Sequence, residues 1–237
     1  MNGYVLGYVI ASVAILFFIV LAVIAQVKVS DAYSKYSKVA SSVDLSGAEF
    51  AQKLASENGI NVRTRRCNGT LTDNYDPRIR TLNISAENYD KKSIAAQAVV
   101  AHEFGHAMQH ASGYIPLKLR QFSIKFSQFV SGAFLPLLLV GILLEIFFVS
   151  NVMVGNMIIY LVAGIYGLSF LVNLITLPVE YNASKRAKQI LRPMYNDQEM
   201  VGVNKVLDAA ALTYLASLLV SLAYFARFLF IILGNRR

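Results

Sequence analysis

The run SIAAQAVVAHEFGHAMQHA (residues 93–111) holds all three histidines of a 237-residue chain, at positions 102, 106 and 110. Ser93 can cap a helix here, Ser112-Gly113 can end it, and Pro116 opposes early resumption. The small residues of AAQAVVA let such a helix pack closely behind a sheet. Residues four apart lie one above the other on a helix, so the imidazoles of His102 and His106 can close on one ion. Glu103 projects from the neighbouring angle, within reach of water at that ion. This is the physical content of HExxH, two metal ligands plus a general base. Zinc lowers the pKa of water it binds from about 15.7 to about 7, and a neighbouring carboxylate can take the proton as the water attacks a carbonyl.

His110 lies two turns beyond His102, about 12 Å along the axis. No single ion is reached by all three histidines from a straight helix. The extended metzincin pattern needs Gly at 109 and His at 112, where this chain has Gln109 and Ser112. His110 therefore reads as a surface or helix-end residue favoured by the helix dipole.

Composition sets the surroundings. The chain is 56% hydrophobic and 15% charged, against roughly 25% charged in a soluble domain, and its mean hydropathy is +0.50. Residues 4–27 carry no charge, residues 129–179 divide near SNVMVGN into two apolar runs, and residues 212–233 form a last run interrupted by Arg227. Each is long enough to cross a bilayer as a helix, so four spans are expected. MNGY lacks the basic start of a cleaved signal peptide, which favours an uncleaved first helix. Lys28, Lys35, Lys38, Lys118, Arg120, Lys125, Lys185, Arg186, Lys188 and Arg192 flank the two hydrophilic segments, whereas the amino terminus and residues 150–155 carry no basic residue. The positive-inside bias puts both segments in the cytoplasm, with Arg236 and Arg237 as a conflict on the other side. The net charge of +8 then reads as a topology signal and a match to anionic lipid heads; no motif supports nucleic-acid binding. Cys67 stands alone, so no internal disulfide is available.

The expected organisation is a first transmembrane helix at 1–28, a catalytic segment at 29–126, two membrane helices at 127–179, a connector with a ligand-bearing helix at 180–211, and a last membrane helix at 212–237. Ser46-Gly-Ala-Glu49 is a capping box that predicts a helix over 47–57, ended at Asn58-Gly59. NVRTRRC, LTDNY and RTLNIS, separated by Asn68-Gly69 and Asp76-Pro77, predict a small antiparallel sheet. The fold class is thus a mainly α membrane protein whose cytoplasmic segment is a zincin-like α+β domain. Inside the spans, Glu145 and Arg227 would each cost about 2.5–3.5 kcal/mol at a bilayer centre, and they are expected to pair. A transporter reading would need further intramembrane acids or interruptions.

With no fourth histidine, the third ligand must be a carboxylate. Glu180 opens EYNASKRAKQIL just after Pro178, which marks the end of the third span; Asp197, Glu199 and Asp208 are rivals, and Glu180 could instead be an interfacial helix cap. Gluzincin enzymes take their third ligand from a glutamate on a second helix, with a residue four positions later supporting a ligand histidine. Glu180 and Ser184 have that spacing.

DNYDPRIRTLNIS, SIAAQAVVAHEFGHAMQHA and PVEYNASKRA together resemble the YugP-type neutral zinc metallopeptidases of bacterial membranes, which are related more distantly to the HtpX and CAAX-prenyl-protease group. The resemblance covers essentially the whole chain. It implies a membrane-embedded gluzincin with one Zn2+ per chain on His102, His106 and Glu180, and Glu103 as base. The HtpX group shows Glu-x-x-Ala-Asp at the third ligand where this chain has Glu180-Tyr-Asn-Ala-Ser184; serine can still accept an imidazole N–H but brings no charge. In zincins an edge strand beside the motif helix holds the peptide by strand addition, and Arg80, Thr81, Leu82, Asn83, Ile84 and Ser85 are the candidates because they precede that helix. An oxyanion donor is also needed, with Tyr181, Arg186 and Tyr195 available and unranked.

The expected activity is endoproteolysis of membrane or membrane-adjacent proteins at the cytoplasmic face of a bacterial cell membrane. The lipid bilayer and protein or peptide substrates are its partners, with room for an oligomer or a partner membrane protein. An intramembrane protease fits less well, since Lys91 and Lys92 precede the motif and the apolar run 94–101 is too short to cross. A zinc-binding scaffold without catalysis is the alternative from another class, against which the intact Glu103 argues.

Overall fold

The computed structural model describes residues 3–129 and 152–235. These are mainly helical with one small sheet: α1 (Gly3–Tyr36), α2 (Gly47–Glu57), β1 (Arg63–Cys67), β2 (Asn74–Asp76), β3 (Thr81–Ser85), α3 (Ala86–Tyr89), α4 (Ile94–Ala111), α5 (115–129), α6 (Val152–Leu191) and α7 (Asp197–Asn235). The chain divides into two compact units, one of Met1–Ala22, Leu119–Leu177 and Tyr214–Arg237, the other of Val23–Lys118 and Pro178–Thr213.

The first unit is apolar on its outside. Three helices, Gly3–Tyr36, Met157–Leu191 and Asp197–Gly234, are long and apolar enough to cross a membrane. Val13, Leu16, Phe17, Met157 and Leu171 stay more than half exposed, which water would penalise and lipid does not. Aromatic rings stack between α6 and α7: Tyr166 lies 4.8 Å from Tyr224 and 5.2 Å from Phe228. The expected second span and Glu145 lie at residues 130–151, outside the described residues. Arg227, the other member of the expected pair, donates from Nη2 to the Tyr8 hydroxyl at 2.8 Å and lies 5.0 Å from that ring's centroid.

The second unit carries the hydrophilic chain. The capping box of α2 forms: the Ser46 hydroxyl accepts from the Glu49 amide, and the Glu49 carboxylate accepts from the Ser46 amide at 2.8 Å. The left-handed Gly59 (φ 63°) follows its end. The sheet departs from the expected antiparallel one. Its order is β1-β3-β2, with β1 parallel and β2 antiparallel to β3. The residues flanking Asn68-Gly69 therefore do not pair with each other. All five residues of β3 are buried while β1 and β2 are partly exposed, and the most buried strand takes the centre, where both of its backbone edges are hydrogen-bonded. Leu82 and Ile84 of β3 join Phe50, Leu54, Ile94, Phe104, Leu191 and Leu207 in the core.

Three helix limits also differ from expectation. Helix α6 runs unbroken through Pro178, so Glu180 is not a helix cap; a proline in a long helix removes one hydrogen bond without always ending it. Helix α5 begins around Pro116 because proline is tolerated in a first turn. Helix α7 starts at Asp197 and continues past the expected 211/212 boundary, there being no glycine or proline between Gly202 and Gly234 to stop it. Its start is a second capping box. The Asn196 side chain accepts from the Glu199 amide at 2.9 Å and the Glu199 carboxylate accepts from the Asn196 amide at 3.1 Å.

Close approach of α4 to α6 positions the site. A Cβ on Gly105 would lie 2.6 Å from the Ala183 carbonyl oxygen and 3.2 Å from Ala183 Cα. Backbone, not a flexible side chain, fills that space. Gly105→Ala is expected to force the two helices apart, at a cost of about 1–3 kcal/mol. The drop in thermal midpoint of the purified protein measures it, and an unchanged midpoint would mean that the helices are not held at this distance.

Candidate metal centre

Helix α4 is buried along most of its length, and its metal-binding candidates share one face. Val100, Phe104 and Ala107 enter the core on one side, while His102, His106 and Gln109 share the opposite face at spacings of four and three. Glu180 reaches that face from α6, 78 residues away in sequence. One oxygen of Glu180, Oε2, lies 3.1 Å from His102 Nε2 and 3.5 Å from His106 Nε2. The three donor atoms all fall within 4.8 Å of one another. Ligands at about 2.0–2.1 Å from a tetrahedral ion stand about 3.3 Å apart, so two imidazoles and a carboxylate at these separations fit one zinc ion.

The outer hydrogen bonds settle which imidazole nitrogens are available. His102 Nδ1 is 3.0 Å from Ser184 Oγ, and His106 Nδ1 is 2.9 Å from Gln109 Oε1. Gln109 donates its amide protons to the Val179 carbonyl at 2.8 Å and to Asn182 Oδ1 at 3.0 Å. Its oxygen must therefore face His106, which makes His106 Nδ1 the donor and leaves the Nε2 lone pair toward Glu180. Ser184 can play the same accepting part for His102. Such partners orient ligand imidazoles and raise their basicity. Gln109 is fully buried, and sequence reasoning registered it only as a departure from another motif. Its position three residues after His106 was the available signal.

Glu103 stands beside this cluster, half-buried. Burial pushes its carboxyl up to about 7, helped by the negative charges of Glu180 and Asp73, while His102 and the Tyr75 main-chain amide act in the opposite direction. Tyr75 belongs to β2, so the outer strand, not β3, borders this carboxylate. Asp73, just before β2, is itself fixed by the Ser85 amide and the Asn88 side chain, both at 2.9 Å.

The remaining expected residues separate clearly. Thr81, Leu82, Asn83, Ile84 and Ser85 form β3, the middle strand, and neither edge is open for strand addition. Arg80 precedes it, exposed and in a left-handed conformation (φ 48°). Tyr195 is buried in the core and donates its hydroxyl to Gln97 Oε1, so it is committed elsewhere. Arg186 donates from Nε to Asn182 Oδ1 at 2.9 Å, joining the chain of bonds behind His106. Tyr181 is 46% exposed on α6, where its ring lines a surface groove with Ser184 and Lys188. The rival carboxylates have other partners: Asp197 pairs with Arg192, Asp208 with Lys188, and Glu199 caps α7 while accepting from Ser42. His110 is not a bare helix end; its Nδ1 is 2.8 Å from the Tyr75 hydroxyl.

Known proteins bear the same stamp. Residues 11–233 match the family described as "Putative neutral zinc metallopeptidase". "Putative membrane protease YugP" of Bacillus subtilis (strain 168) is 44% identical over 215 residues, which cover 90% of this chain and 92% of that protein. No solved structure matches. The match runs through both units and across the helices that carry His102, His106 and Glu180, and the chain belongs to this family of neutral zinc metallopeptidases.

Proposed function

We propose that this membrane protein is a zinc metalloendopeptidase of the gluzincin type, acting on membrane or membrane-adjacent proteins at the cytoplasmic face. The observation that carries the reading is the meeting of Glu180 Oε2 with both histidine Nε2 atoms, next to a carboxylate that needs no place in the ligand set. Membership of a zinc metallopeptidase family and 44% identity to a membrane protease support it.

In this reading His102, His106 and Glu180 hold one zinc ion per chain, Ser184 and Gln109 keep the two imidazoles in register, and Glu103 is the general base. Zinc supplies Lewis acidity, polarising a peptide carbonyl and making water a competent nucleophile near neutral pH. With zinc bound, Glu103 would take a proton from the attacking water and return it to the leaving amine; burial raises its carboxyl above the ordinary range. A scaffold would need the ligands alone, so a base held at this position favours the enzyme.

Metal content measured on detergent-purified protein tests the ligand set. About one zinc per chain is expected, lost in Glu180→Ala and retained in Asp197→Ala, whose carboxylate is bound to Arg192. Removing an outer partner, as in Gln109→Ala, should weaken zinc affinity by about 10–100-fold. Zinc unaffected by Glu180→Ala would place the third ligand elsewhere.

Glu103→Gln distinguishes enzyme from scaffold. It should keep its zinc and lose proteolysis by about 10²–10⁴-fold, the usual worth of a positioned acid–base group. Equal proteolysis in the two proteins would remove Glu103 from the mechanism.

Orientation can be read from the single cysteine, since Cys67 lies partly exposed at the end of β1. A membrane-impermeant maleimide should label it only after the cells are permeabilised. Labelling in intact cells would put the site on the outer face.

A further inference from the structure

Beyond the metal cluster, the second unit contains a cavity of about 360 Å3 whose polar walls are Asn61, Tyr75, Arg80 and His110. None of its described lining residues is acidic. The Arg80 guanidinium is exposed at the rim. Its backbone is left-handed (φ 48°), a conformation glycine would adopt with less strain, yet an arginine occupies it. The Tyr75–His110 pair adds a second donor. Between them the hydroxyl and a neutral imidazole carry two polar hydrogens, and their 2.8 Å bond uses one. Whichever tautomer holds, one proton is left to donate to something else. A cavity furnished with a cation and one surplus donor, and with no acid among its described lining residues, suits a carboxylate.

Its place along α4 gives the cavity a relation to the site. Ala107 and His110 line it, and they share a helix face with Glu103 at spacings of four and seven. Along the axis they lie about 6 Å and about 10 Å from Glu103, which an extended peptide covers in two or three residues at about 3.3 Å each. Tyr75 joins the two places, its side chain in the cavity wall and its main-chain amide acting on Glu103.

We propose that this cavity is a subsite for a peptide carboxylate, held by Arg80 and the Tyr75–His110 pair two or three residues from the bond that Glu103 addresses. The inference rests on the peptidase reading above. The carboxylate can come from an acidic side chain or from the free end of a peptide.

The test is binding, so that it does not depend on turnover. Fluorescent decapeptides are titrated by anisotropy against full-length, zinc-loaded Glu103→Gln protein in detergent. One set carries a single glutamate at successive positions, each compared with its glutamine twin; the other compares a free carboxyl terminus with its amide. At least one acidic peptide should bind about tenfold more tightly than its neutral twin, the scale of a charge-assisted contact. The ratio should fall to about one in the double variant that adds Arg80→Asn, a residue that tolerates the left-handed backbone. The set that shows the preference identifies the source of the carboxylate. Equal affinities within every pair, a ratio that survives Arg80→Asn, or no binding of any peptide overturns the subsite. Failure of the peptidase reading has a different signature: the carboxylate preference persists, but wild-type protein cleaves none of the peptides it binds.

Discussion

Two helix backbones meet at Gly105 and Ala183 with no room for a methyl group between them, and the rest of the site follows from that contact. Glu180 and Ser184 flank Ala183 on α6, and His102 and His106 flank Gly105 on α4. Bringing the backbones together therefore brings a carboxylate between two imidazoles and a hydroxyl behind one of them. A side chain at Gly105 would push against the Ala183 backbone and move apart the helices that carry the donors. The glycine inside the HEFGH run is a packing residue with a chemical consequence.

Around that contact the polar groups are paired in sequence. His106 donates to Gln109, Gln109 donates to Val179 and Asn182, and Asn182 also accepts from Arg186. Each bond fixes the direction of the next, so a side chain on α6 determines which nitrogen of His106 is free. A half-satisfied network in a buried place would cost more than an apolar one. Here the buried glutamine has a partner at each end. Gln97 braces the other side of α4 in the same way, donating to the Val43 and Leu45 carbonyls and accepting from Tyr195.

The two units show how one chain meets two solvents. In the first, large apolar side chains remain outside and aromatic rings stack between α6 and α7, as helices surrounded by hydrocarbon permit. In the second, capping boxes start α2 and α7 and ion pairs such as Lys92–Asp44 lie on the surface. Helices α1, α6 and α7 belong to both; in the first unit the described parts of α1 and α6 carry no charge and α7 carries Arg227, while in the second all three carry several charges.

Local sequence determined what depends on local physics. Spacing within 93–111 specified the helix, its cap and the pairing of His102 with His106; Ser46 and Glu49 specified the start of α2; apolar length specified the helices able to span a bilayer. Glu180 was legible only as a candidate ligand, by its place just after Pro178 and its spacing to Ser184, because a carboxylate 78 residues away leaves no periodic trace beside its partners. Tertiary structure alone decided the sheet order, since pairing energies compare strands that are distant in sequence, and the middle place went to the strand that could bury every side chain. It likewise decided that Tyr195 and Arg186 spend their donors on Gln97 and Asn182, that α6 passes through Pro178, and that His110 meets Tyr75. Those outcomes depend on which groups end up as neighbours, and neighbours across a fold are set by packing.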